Sequence, residues 1–275
     1  KYGEPLRGLI AEGRHLSEVV HFGHGQVFTG ATTYTCLLFL SGSPSSVMQL
    51  TLVENLSTWR LQSDAVSGEM PSSAFGTTDW RLTVGPGLAL FDRLDNMPNR
   101  LGAYAARIGQ GIRTSANEIF VLDLISSGGG KIIAHSEQLN RGVELEADSV
   151  LQFVEGKEIK PYLVSSSGKV VITPYRIDDG RAKLVLERNL KTEWPATYAY
   201  LRENKAVLEK REHGRFQGSD WFAYGRNQNI DLMLLPKILV PDIASRASFA
   251  LDAAGQYAFT SGYGITLGPS VSLSE

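Results

Sequence analysis

IGQGIRTSANEIFVLD, residues Ile108 to Asp123, places two glycines and several polar side chains directly before an apolar run. Gly109 and Gly111 permit backbone angles and close approaches that are closed to other residues. The neighbouring side chains that offer hydrogen-bond donors are those of Arg113, Thr114, Ser115 and Asn117. The pattern predicts a loop that holds a polar or anionic ligand, anchored by a strand over Ile119–Leu122. A glycine-rich hairpin that enters a strand explains the same residues, and that alternative stays open.

The composition is that of an ordinary globular protein. The chain has 275 residues, 43% hydrophobic and 20% charged, which suits one large domain or two smaller ones. Its longest apolar run, Cys36–Leu40, is too short to cross a bilayer. Cys36 is the single cysteine, so no internal disulfide forms, and its apolar neighbours predict a buried, inert thiol. We therefore expect a cytoplasmic protein with no membrane partner. The net charge of −2 gives no global sign of nucleic-acid binding, although a neutral average can conceal a basic face.

The first part of the chain predicts one helix and a few strands. Residues 4–14 read as a short helix with a proline in its first turn. Val19–Phe22 and Tyr34–Leu40 are expected to be two buried strands of a larger sheet. Ser41 to Thr78 is loose and rich in turn residues around one strand candidate, Met48–Val53, and is interpreted as a connector.

The remainder mixes helices and strands. Apolar spacing predicts a helix within residues 87–106, and Thr197–Glu212 is expected to be one amphipathic helix. Residues 119–135 predict a hairpin, and FALDAAGQYAFT predicts another near the end of the chain. Because no βαβ rhythm follows residue 80, the fold class is expected to be α+β with mixed or antiparallel sheets.

Two groups of side chains have the spacing of metal ligands. His21 and His24 are three residues apart, but no cysteine or third histidine joins them locally. Asp148, Glu158 and Lys160 match the D…E-x-K pattern of nucleases that bind Mg²⁺ through an acidic pair beside a lysine. That chemistry requires both carboxylates on adjoining strands facing one cavity, and a solvated charged turn explains the same residues.

Aromatic and basic residues recur together in short motifs flanked by turns. They are Tyr162, Tyr175, Arg176, Trp221, Phe222, Tyr224 and Arg226. In such motifs an aromatic ring can stack on a base and an arginine can contact a phosphate or guanine. Packing in the core explains aromatic residues equally well.

Several motifs occur in an order that resembles a known family. They are IGQGIRTSANEIFVL, FVEGKEIKPYL, VVITPY, WPATYAYLRENKAVLEKRE, WFAYGR, LLPKILVPDI and FALDAAGQYAFTSGYGITL. Together they resemble the C-terminal target-recognition domain of TaqI-type adenine-N6 DNA methyltransferases and of the related type IIG restriction-modification enzymes. EPLRGLI and VVHFGHGQVFTGATTYTCLLFL resemble the last helix and strands of the preceding α/β methyltransferase domain.

The resemblance implies a division of the chain and a longer parent protein. Residues 1–55 would be the tail of the methyltransferase domain, 56–78 a connector, and 79–275 the DNA target-recognition domain. The family binds S-adenosylmethionine through a glycine-containing motif and places adenine with an Asn-Pro-Pro-aromatic motif, whereas this sequence has no Pro-Pro pair. The first residue, Lys1, adds to the expectation of a fragment that does not methylate DNA alone. The parent would use S-adenosylmethionine, and Mg²⁺ if it also cleaved DNA.

The resemblance further implies a clamp on double-stranded DNA, with the upstream methyltransferase domain of the same polypeptide as the other half. The residues assigned to DNA contacts are Arg113, Thr114, Asn117, Lys157, Lys160, Arg176, Tyr224 and Arg226. No residue is assigned to catalysis, cofactor binding or a metal. The sequence departs from the family pattern at Ser115, where glycine is usual, and at Phe222, where tyrosine is usual. A less tightly turned loop and the loss of a ring hydroxyl contact are the corresponding expectations.

Two alternatives from other functional classes remain. One is a metal-dependent DNA nuclease that uses Asp148, Glu158 and Lys160. The other is a non-catalytic domain that binds a small ligand or a protein and has no role on DNA. Phosphate contacts give DNA binding a steep dependence on salt, which separates the second alternative from a recognition domain.

Overall fold

The structure is a computed structural model that describes residues 3–31, 33–85, 87–269 and 271. The chain divides into two compact units, one ending at Asn99 and the other beginning at Arg100. Both units combine helices with mixed or antiparallel sheets, so the predicted α+β class is confirmed. No helix among the described residues is long and apolar enough to cross a lipid bilayer.

The first unit is built on a four-stranded sheet. Its elements are α1 (Glu4–Glu12), β1 (Leu16–His21), β2 (Cys36–Leu40), β3 (Val47–Leu52), α2 (Leu56–Gln62), β4 (Val66–Pro71) and α3 (Leu88–Asp95). The strand order is β2-β1-β3-β4, with β1 and β3 parallel and the other pairs antiparallel. Val19, Met48 and Leu50 are almost fully buried, because alternate positions of β1 and β3 face the core.

The outer strand β2 corrects the expectation of two buried strands. All five of its residues are exposed, including Cys36, whose thiol was expected to be buried. The strand lies at the end of the sheet and pairs with β1 on one side. Although β2 is apolar, the described residues of the chain leave it exposed.

The predicted connector is a folded part of the first unit. Within residues 56–78, α2 begins at Leu56, where the Asn55 side chain accepts hydrogen bonds from the Ser57 and Thr58 amides. Strand β4 follows and pairs with β3 along its full length. The boundary between the compact units therefore lies after Asn99 and not at residue 78. The glycines and serines of this segment suggested a connector, but the same residue types also occur in strands and helix caps.

The second unit contains two sheets, two short hairpins and five helices among its described residues. Its elements are α4 (Leu101–Tyr104), β5 (Ala105–Gln110), α5 (Asn117–Phe120), β6 (Val121–Gly128), β7 (Lys131–Ser136), β8 (Arg141–Glu146), β9 (Val150–Val154), β10 (Ile159–Lys160), β11 (Leu163–Val164), β12 (Lys169–Ile172), β13 (Tyr175–Asp178), β14 (Arg181–Leu184), α6 (Glu187–Glu193), α7 (Pro195–Glu203), α8 (Lys205–Gly214), β15 (Lys237–Val240), β16 (Ala250–Asp252), β17 (Tyr257–Phe259) and β18 (Tyr263–Leu267).

The larger sheet has six strands in the order β17-β9-β12-β6-β7-β8, and the smaller has four in the order β16-β15-β18-β5. The predicted hairpin over residues 119–135 is confirmed as β6 and β7. The predicted terminal hairpin is wrong, because β16 joins the smaller sheet and β17 pairs with β9 in the larger one. Gly255, with φ +63°, turns the chain from one sheet to the other.

The long helix predicted over Thr197–Glu212 is two helices. Asn204 separates α7 from α8; it is 2% exposed, and its side-chain amide donates to the Tyr200 carbonyl. Leu201 and Leu208 are fully buried, which agrees with the amphipathic character predicted for this segment. A side chain that hydrogen-bonds the local backbone competes with the helical ladder, which explains the break.

A buried carboxylate fixes the start of α7. Glu146, at the end of β8, is 8% exposed and accepts hydrogen bonds from the Ala196 and Thr197 amides and the Thr197 hydroxyl. Burial by itself raises the pKa of Glu146, but these donors outweigh it and the pKa is lowered. The free amides of the first helical turn thus receive a charged partner from the sheet.

Candidate nucleic-acid interface

The glycine loop lies at a groove in the second unit. One cavity of about 440 Å³ is lined by Asn117, Glu118 and the lysines Lys157 and Lys169, among others. An adjoining cavity of about 480 Å³ is lined by the loop from residue 112 to residue 118. Asn117, Glu118, Thr260 and Ser261 line both, so the two cavities share a wall made by the loop and the segment after β17.

The two glycines of the motif are required for close approach. A Cβ on Gly111 would overlap the Phe259 carbonyl oxygen and lie 2.8 Å from the main-chain carbon of Thr260. A Cβ on Gly109 would lie 2.7 Å from the Leu232 side chain. Neither glycine has a positive φ. Gly109 therefore packs against side chains, whereas Gly111 packs backbone on backbone and sets the loop against the wall that Thr260 forms.

The loop is fixed internally by Thr114, which is fully buried. Its hydroxyl donates to the Asn117 side-chain oxygen over 2.6 Å and accepts from the Ala116 amide over 3.1 Å. Asn117 then begins α5, so the predicted strand over Ile119–Leu122 starts only at Val121, after one helical turn. Thr114 thus serves as a structural residue of the loop, and Asn117 remains exposed at the groove.

Arg113 and Arg226 are joined by an isolated antiparallel bridge. The Arg226 amide donates to the Arg113 carbonyl over 3.0 Å, and the Gly225 amide donates to the Thr114 carbonyl over 3.1 Å. Directly opposed residues of such a pair have their Cβ atoms about 5 Å apart on one face. Both arginines are exposed, and Arg226 also lines a further cavity of about 530 Å³. The structure therefore brings together two of the predicted cationic residues that are far apart in sequence.

Next to this bridge lies Arg211, near the end of the segment that was predicted to be one amphipathic helix. Its side chain is 8% exposed, and its guanidinium donates to the carbonyls of Leu208, Thr114 and Trp221 over 2.7 to 2.8 Å. It also stacks 4.2 Å over the ring of Phe216. Burial lowers the pKa of Arg211. Because Arg211 has the non-helical backbone angles φ −56° and ψ 147°, helical spacing in the sequence gave no signal of this burial.

Other predicted contacts are dispersed. Lys157 is exposed in the first cavity and pairs with Glu155 over 2.5 Å, which raises the pKa of Lys157. Lys160, on β10, is exposed and lines none of these three cavities. Arg176 pairs with Glu193 and lies over the Trp194 ring, also outside the three cavities. Lys160 and Arg176 are therefore not brought to the groove.

The aromatic residues are mainly core residues. Tyr224 is 3% exposed, and its hydroxyl donates to the Ile172 carbonyl over 2.6 Å, so its predicted role in DNA contact is replaced by a structural one. Burial raises the pKa of Tyr224. Trp221 and Phe222 are fully buried, and burial raises the pKa of Tyr175 to about 12. Tyr162 is the exception, with 96% of its surface exposed.

The carboxylates of the nuclease hypothesis do not meet. Asp148 lies in the turn before β9 and Glu158 in the turn after it, so a strand that spans roughly 15 Å separates them. Glu158 also accepts a hydrogen bond from the Glu155 amide over 2.7 Å, as part of a capping box. Among the described residues no group of three or more His, Cys, Asp or Glu has the arrangement of a metal site.

Sequence comparison supplies relatives for this chain. No protein-family model matches it. The type II restriction enzyme and methyltransferase RM.Eco57I of Escherichia coli is 25% identical over 269 residues, covering 91% of this chain and 26% of that protein. The type II methyltransferase M.PaeR7I of Pseudomonas aeruginosa is 24% identical and covers 94% of this chain and 43% of its own length.

The relatives of this chain are type II restriction-modification methyltransferases. A third, M.XhoI of Xanthomonas vasicola, is 22% identical over 97% of this chain and 48% of its own length. The chain thus spans about a quarter to a half of the length of these restriction-modification relatives. The resemblance that the ordered motifs indicated is confirmed.

A solved structure of a restriction-modification enzyme shares the fold. It is the type IIL enzyme MmeI, solved in complex with DNA, with a TM-score of 0.53 and 12% sequence identity. The match covers 98% of this chain and 31% of the MmeI chain. At this level of identity the match supports the fold and gives no residue roles.

The departure at Ser115 from the motif pattern leaves the loop tightly turned. Ser115 has φ +57°, which is the left-handed conformation that glycine adopts easily. Its hydroxyl donates to the Glu212 carboxylate over 2.9 Å, and this bond lowers the pKa of Glu212, as does the nearby Arg215. The expected loosening of the loop is therefore wrong. At Phe222 the fully buried ring packs edge-on against Trp221, so this position is part of the core.

Proposed function

We propose that the second unit is the DNA target-recognition module of a site-specific adenine-N6 DNA methyltransferase of a type II restriction-modification system. The groove along the glycine loop would lie against the DNA duplex. Arg113 and Arg226 would contact it directly, while Asn117 and Lys157 would extend the contact along the groove.

The observation that carries the proposal is the bridge between Arg113 and Arg226. Like charges placed directly opposite each other destabilise a strand pair. The Glu212 carboxylate, whose pKa is lowered in part by Arg226, offsets some of this repulsion, and an anionic ligand would offset more. Both side chains are exposed and lie at the rim of polar cavities. Guanidinium groups in such a position suit phosphate oxygens or the edge of guanine. DNA supplies both kinds of acceptor.

The comparisons support the same class of partner. The curated relatives are type II DNA-modifying enzymes, and the structure of MmeI was solved in complex with DNA. Those relatives are longer than the matched segment, which leaves room for a catalytic domain elsewhere in the parent protein. Restriction-modification methyltransferases must locate a short site, and a grooved α+β unit with bridged arginines is suited to that task.

Methyl transfer is assigned to polypeptide outside these 275 residues. The sequence has no Pro-Pro pair, so it cannot supply the Asn-Pro-Pro-aromatic motif expected from the family resemblance. The glycine-containing cofactor motif of the family would likewise lie in that other polypeptide. An upstream methyltransferase domain of the same protein would bind the cofactor and receive the target adenine.

The test is a binding titration of the 275-residue chain on a short fluorescent duplex of random sequence. Fluorescence anisotropy at several KCl concentrations gives the dissociation constant and its salt dependence. The double variant Arg113→Ala, Arg226→Ala is expected to bind more weakly and to depend less steeply on salt, because phosphate contacts release counterions. Arg188→Ala is the matched control, since Arg188 is an exposed arginine on α6 that lines none of the three cavities.

The outcomes separate the hypotheses. A loss of affinity in the Arg188 variant about half as large as that in the double variant would mean that only total charge matters, because the control removes one charge and the double variant two, and this would contradict a groove-specific site. No salt-dependent binding by the unaltered chain would favour a small-ligand or protein-binding domain. Cleavage of plasmid DNA on addition of Mg²⁺ would revive the nuclease alternative.

A further inference from the structure

We infer that Arg211 is a positioning residue, which holds Arg113 and Arg226 side by side so that both guanidinium groups bind one phosphodiester of the DNA backbone. This inference rests on the proposed function. It goes further by assigning the two arginines to a single phosphate and by giving the buried third arginine a role in binding.

Arg211 holds the backbone segments on both sides of the bridge. Its guanidinium donates to the Thr114 carbonyl over 2.7 Å and to the Trp221 carbonyl over 2.8 Å. Thr114 is the residue after Arg113 and also accepts the Gly225 amide, whereas Trp221 begins the segment that leads to Arg226. One planar group therefore ties together the backbones of both bridged segments. A fork of donors with fixed geometry is suited to this task.

The Arg211 side chain is itself fixed by two aromatic rings and a carbonyl. The guanidinium lies 4.2 Å from the ring centroid of Phe216 and 5.6 Å from that of Phe120, and its Nε donates to the Leu208 carbonyl. Within the described part of the chain it makes no ion pair with a carboxylate. A buried cation solvated only by carbonyls and ring faces is costly to place. Its positive charge lies within hydrogen-bond distance of the Thr114 carbonyl, next to the bridge, and adds to the attraction for an anion.

The paired positive charges of Arg113 and Arg226 favour a phosphate over a guanine edge as their ligand. Two guanidinium groups on Cβ atoms about 5 Å apart repel each other. A phosphodiester offers two anionic oxygens, one for each guanidinium, and neutralises part of that repulsion. A guanine edge accepts one bidentate arginine and carries no net charge, so it would leave the second arginine unpaired. The chemistry of the pair therefore favours a phosphate contact, which fixes register without reading sequence.

The first experiment counts phosphates. The slope of log affinity against log KCl concentration becomes shallower by about 0.9 for each phosphate of duplex DNA that the protein no longer neutralises. If both arginines bind one phosphate, either single variant leaves that phosphate neutralised by the remaining arginine and keeps the slope nearly unchanged, whereas the double variant lowers it by about 0.9. If they bind separate phosphates, each single variant lowers the slope by about 0.9 and the double variant by about twice as much, and the single-phosphate assignment is overturned. Relaxed sequence preference at one base position, with an unchanged slope in the double variant, would mean base reading and would overturn it as well.

The second experiment tests Arg211. Arg211→Met is expected to lower the slope by about 0.9 in the unaltered chain and to cause no further decrease in the Arg113, Arg226 double variant. Arg211→Lys, which keeps the charge but lacks the fork, is expected to restore part of the slope. Leu208→Ala is the matched control, because it destabilises the same helix through a fully buried apolar side chain and leaves the bridge bonds in place. All variants are compared well below their unfolding temperatures.

The outcomes keep the two claims apart. If the double variant binds like the unaltered chain, the proposed function of the groove fails. If the double variant is impaired but folded Arg211→Met keeps the full slope, only the positioning role fails. If Leu208→Ala lowers the slope as much as Arg211→Met, or if Arg211→Met weakens binding further in the double variant, Arg211 acts through general stability and the inference is overturned.

Discussion

Replacing Gly225 by alanine tests the close packing beneath the bridged arginines. A Cβ at this position would overlap the Ser115 hydroxyl, lie 2.8 Å from the Ser115 Cβ, and lie 3.0 Å from a carboxylate oxygen of Glu212. The hydroxyl can rotate away, but the Cβ of Ser115 cannot, so the loop backbone must move. Overpacking of this kind costs about 1–3 kcal/mol.

Ser115 supplies the second half of the test. Ser115→Gly removes both atoms that the new methyl group would strike, and it also relieves a non-glycine residue at φ +57°. The relief is offset by the greater backbone entropy of glycine in the unfolded chain, so the single variant is expected to lie within about 1 kcal/mol of the unaltered protein. In the Ser115→Gly background, Gly225→Ala should then cost less, with a coupling energy of about 1–2 kcal/mol.

Urea unfolding of the four proteins measures this coupling energy. Gly142→Ala is the control, because the nearest atom to a Cβ there is 3.9 Å away and Gly142 lies in an ordinary strand conformation. That control is expected to be neutral or stabilising by up to about 1 kcal/mol. If the Gly225→Ala and Ser115→Gly effects add to within about 0.5 kcal/mol, the steric argument is refuted.

Three further predictions concern stability. Glu146→Gln should destabilise the protein by about 2–4 kcal/mol at neutral pH, because a buried charged acceptor of three donors is removed. Since the pKa of Glu146 is lowered in the folded state, its contribution to stability is present above the unfolded pKa and disappears as the pH falls through the folded pKa. The stability difference between variant and parent should therefore vanish in urea titrations at acid pH. Lys237→Met should lower the free energy of unfolding by about 3–5 kcal/mol, because it leaves the Asp252 carboxylate buried without the ammonium that lies 2.6 Å away. Lys183→Met, at an exposed ion pair, should lower it by less than about 1 kcal/mol. Equal losses of stability in the two variants would contradict the role of burial. Gly111→Ala should lower both stability and DNA affinity, because a main-chain carbonyl occupies the space of the new Cβ; unchanged unfolding temperature and binding would show that the loop is free to move.

Local patterns predicted those features that depend on neighbouring residues. A proline in the first turn predicted α1, and the pattern of residues 119–135 predicted the hairpin of β6 and β7. These succeed because turn residues and periodic apolar positions act over a few residues. By contrast, the single helix over Thr197–Glu212 and the burial of Cys36 were wrong, because a break at a buried asparagine and the position of a strand in its sheet depend on distant contacts.

In the candidate site, too, the sequence identified some of the residues but not the contacts between them. Arg113 and Arg226 were identified from their motifs, but nothing in the sequence indicated that they are bridged to each other. Tyr224 was assigned to DNA because its motif is aromatic and basic, yet its hydroxyl bonds a core carbonyl. Thr260 was assigned to a hairpin, but together with Ser261 it forms the shared wall of the groove.

The sequence by itself determined the α+β class, the order of motifs that matches type II restriction-modification methyltransferases, and the chemical character of the glycine loop. Only the tertiary structure decided which of the cationic side chains meet. Arg113 is far in sequence from Arg211 and Arg226, and carbonyls from three segments converge on the buried guanidinium of Arg211. Such convergence depends on how the backbone segments pack, because every buried carbonyl needs a donor. The order of residues in a sequence carries no information about the direction in which a distant carbonyl points.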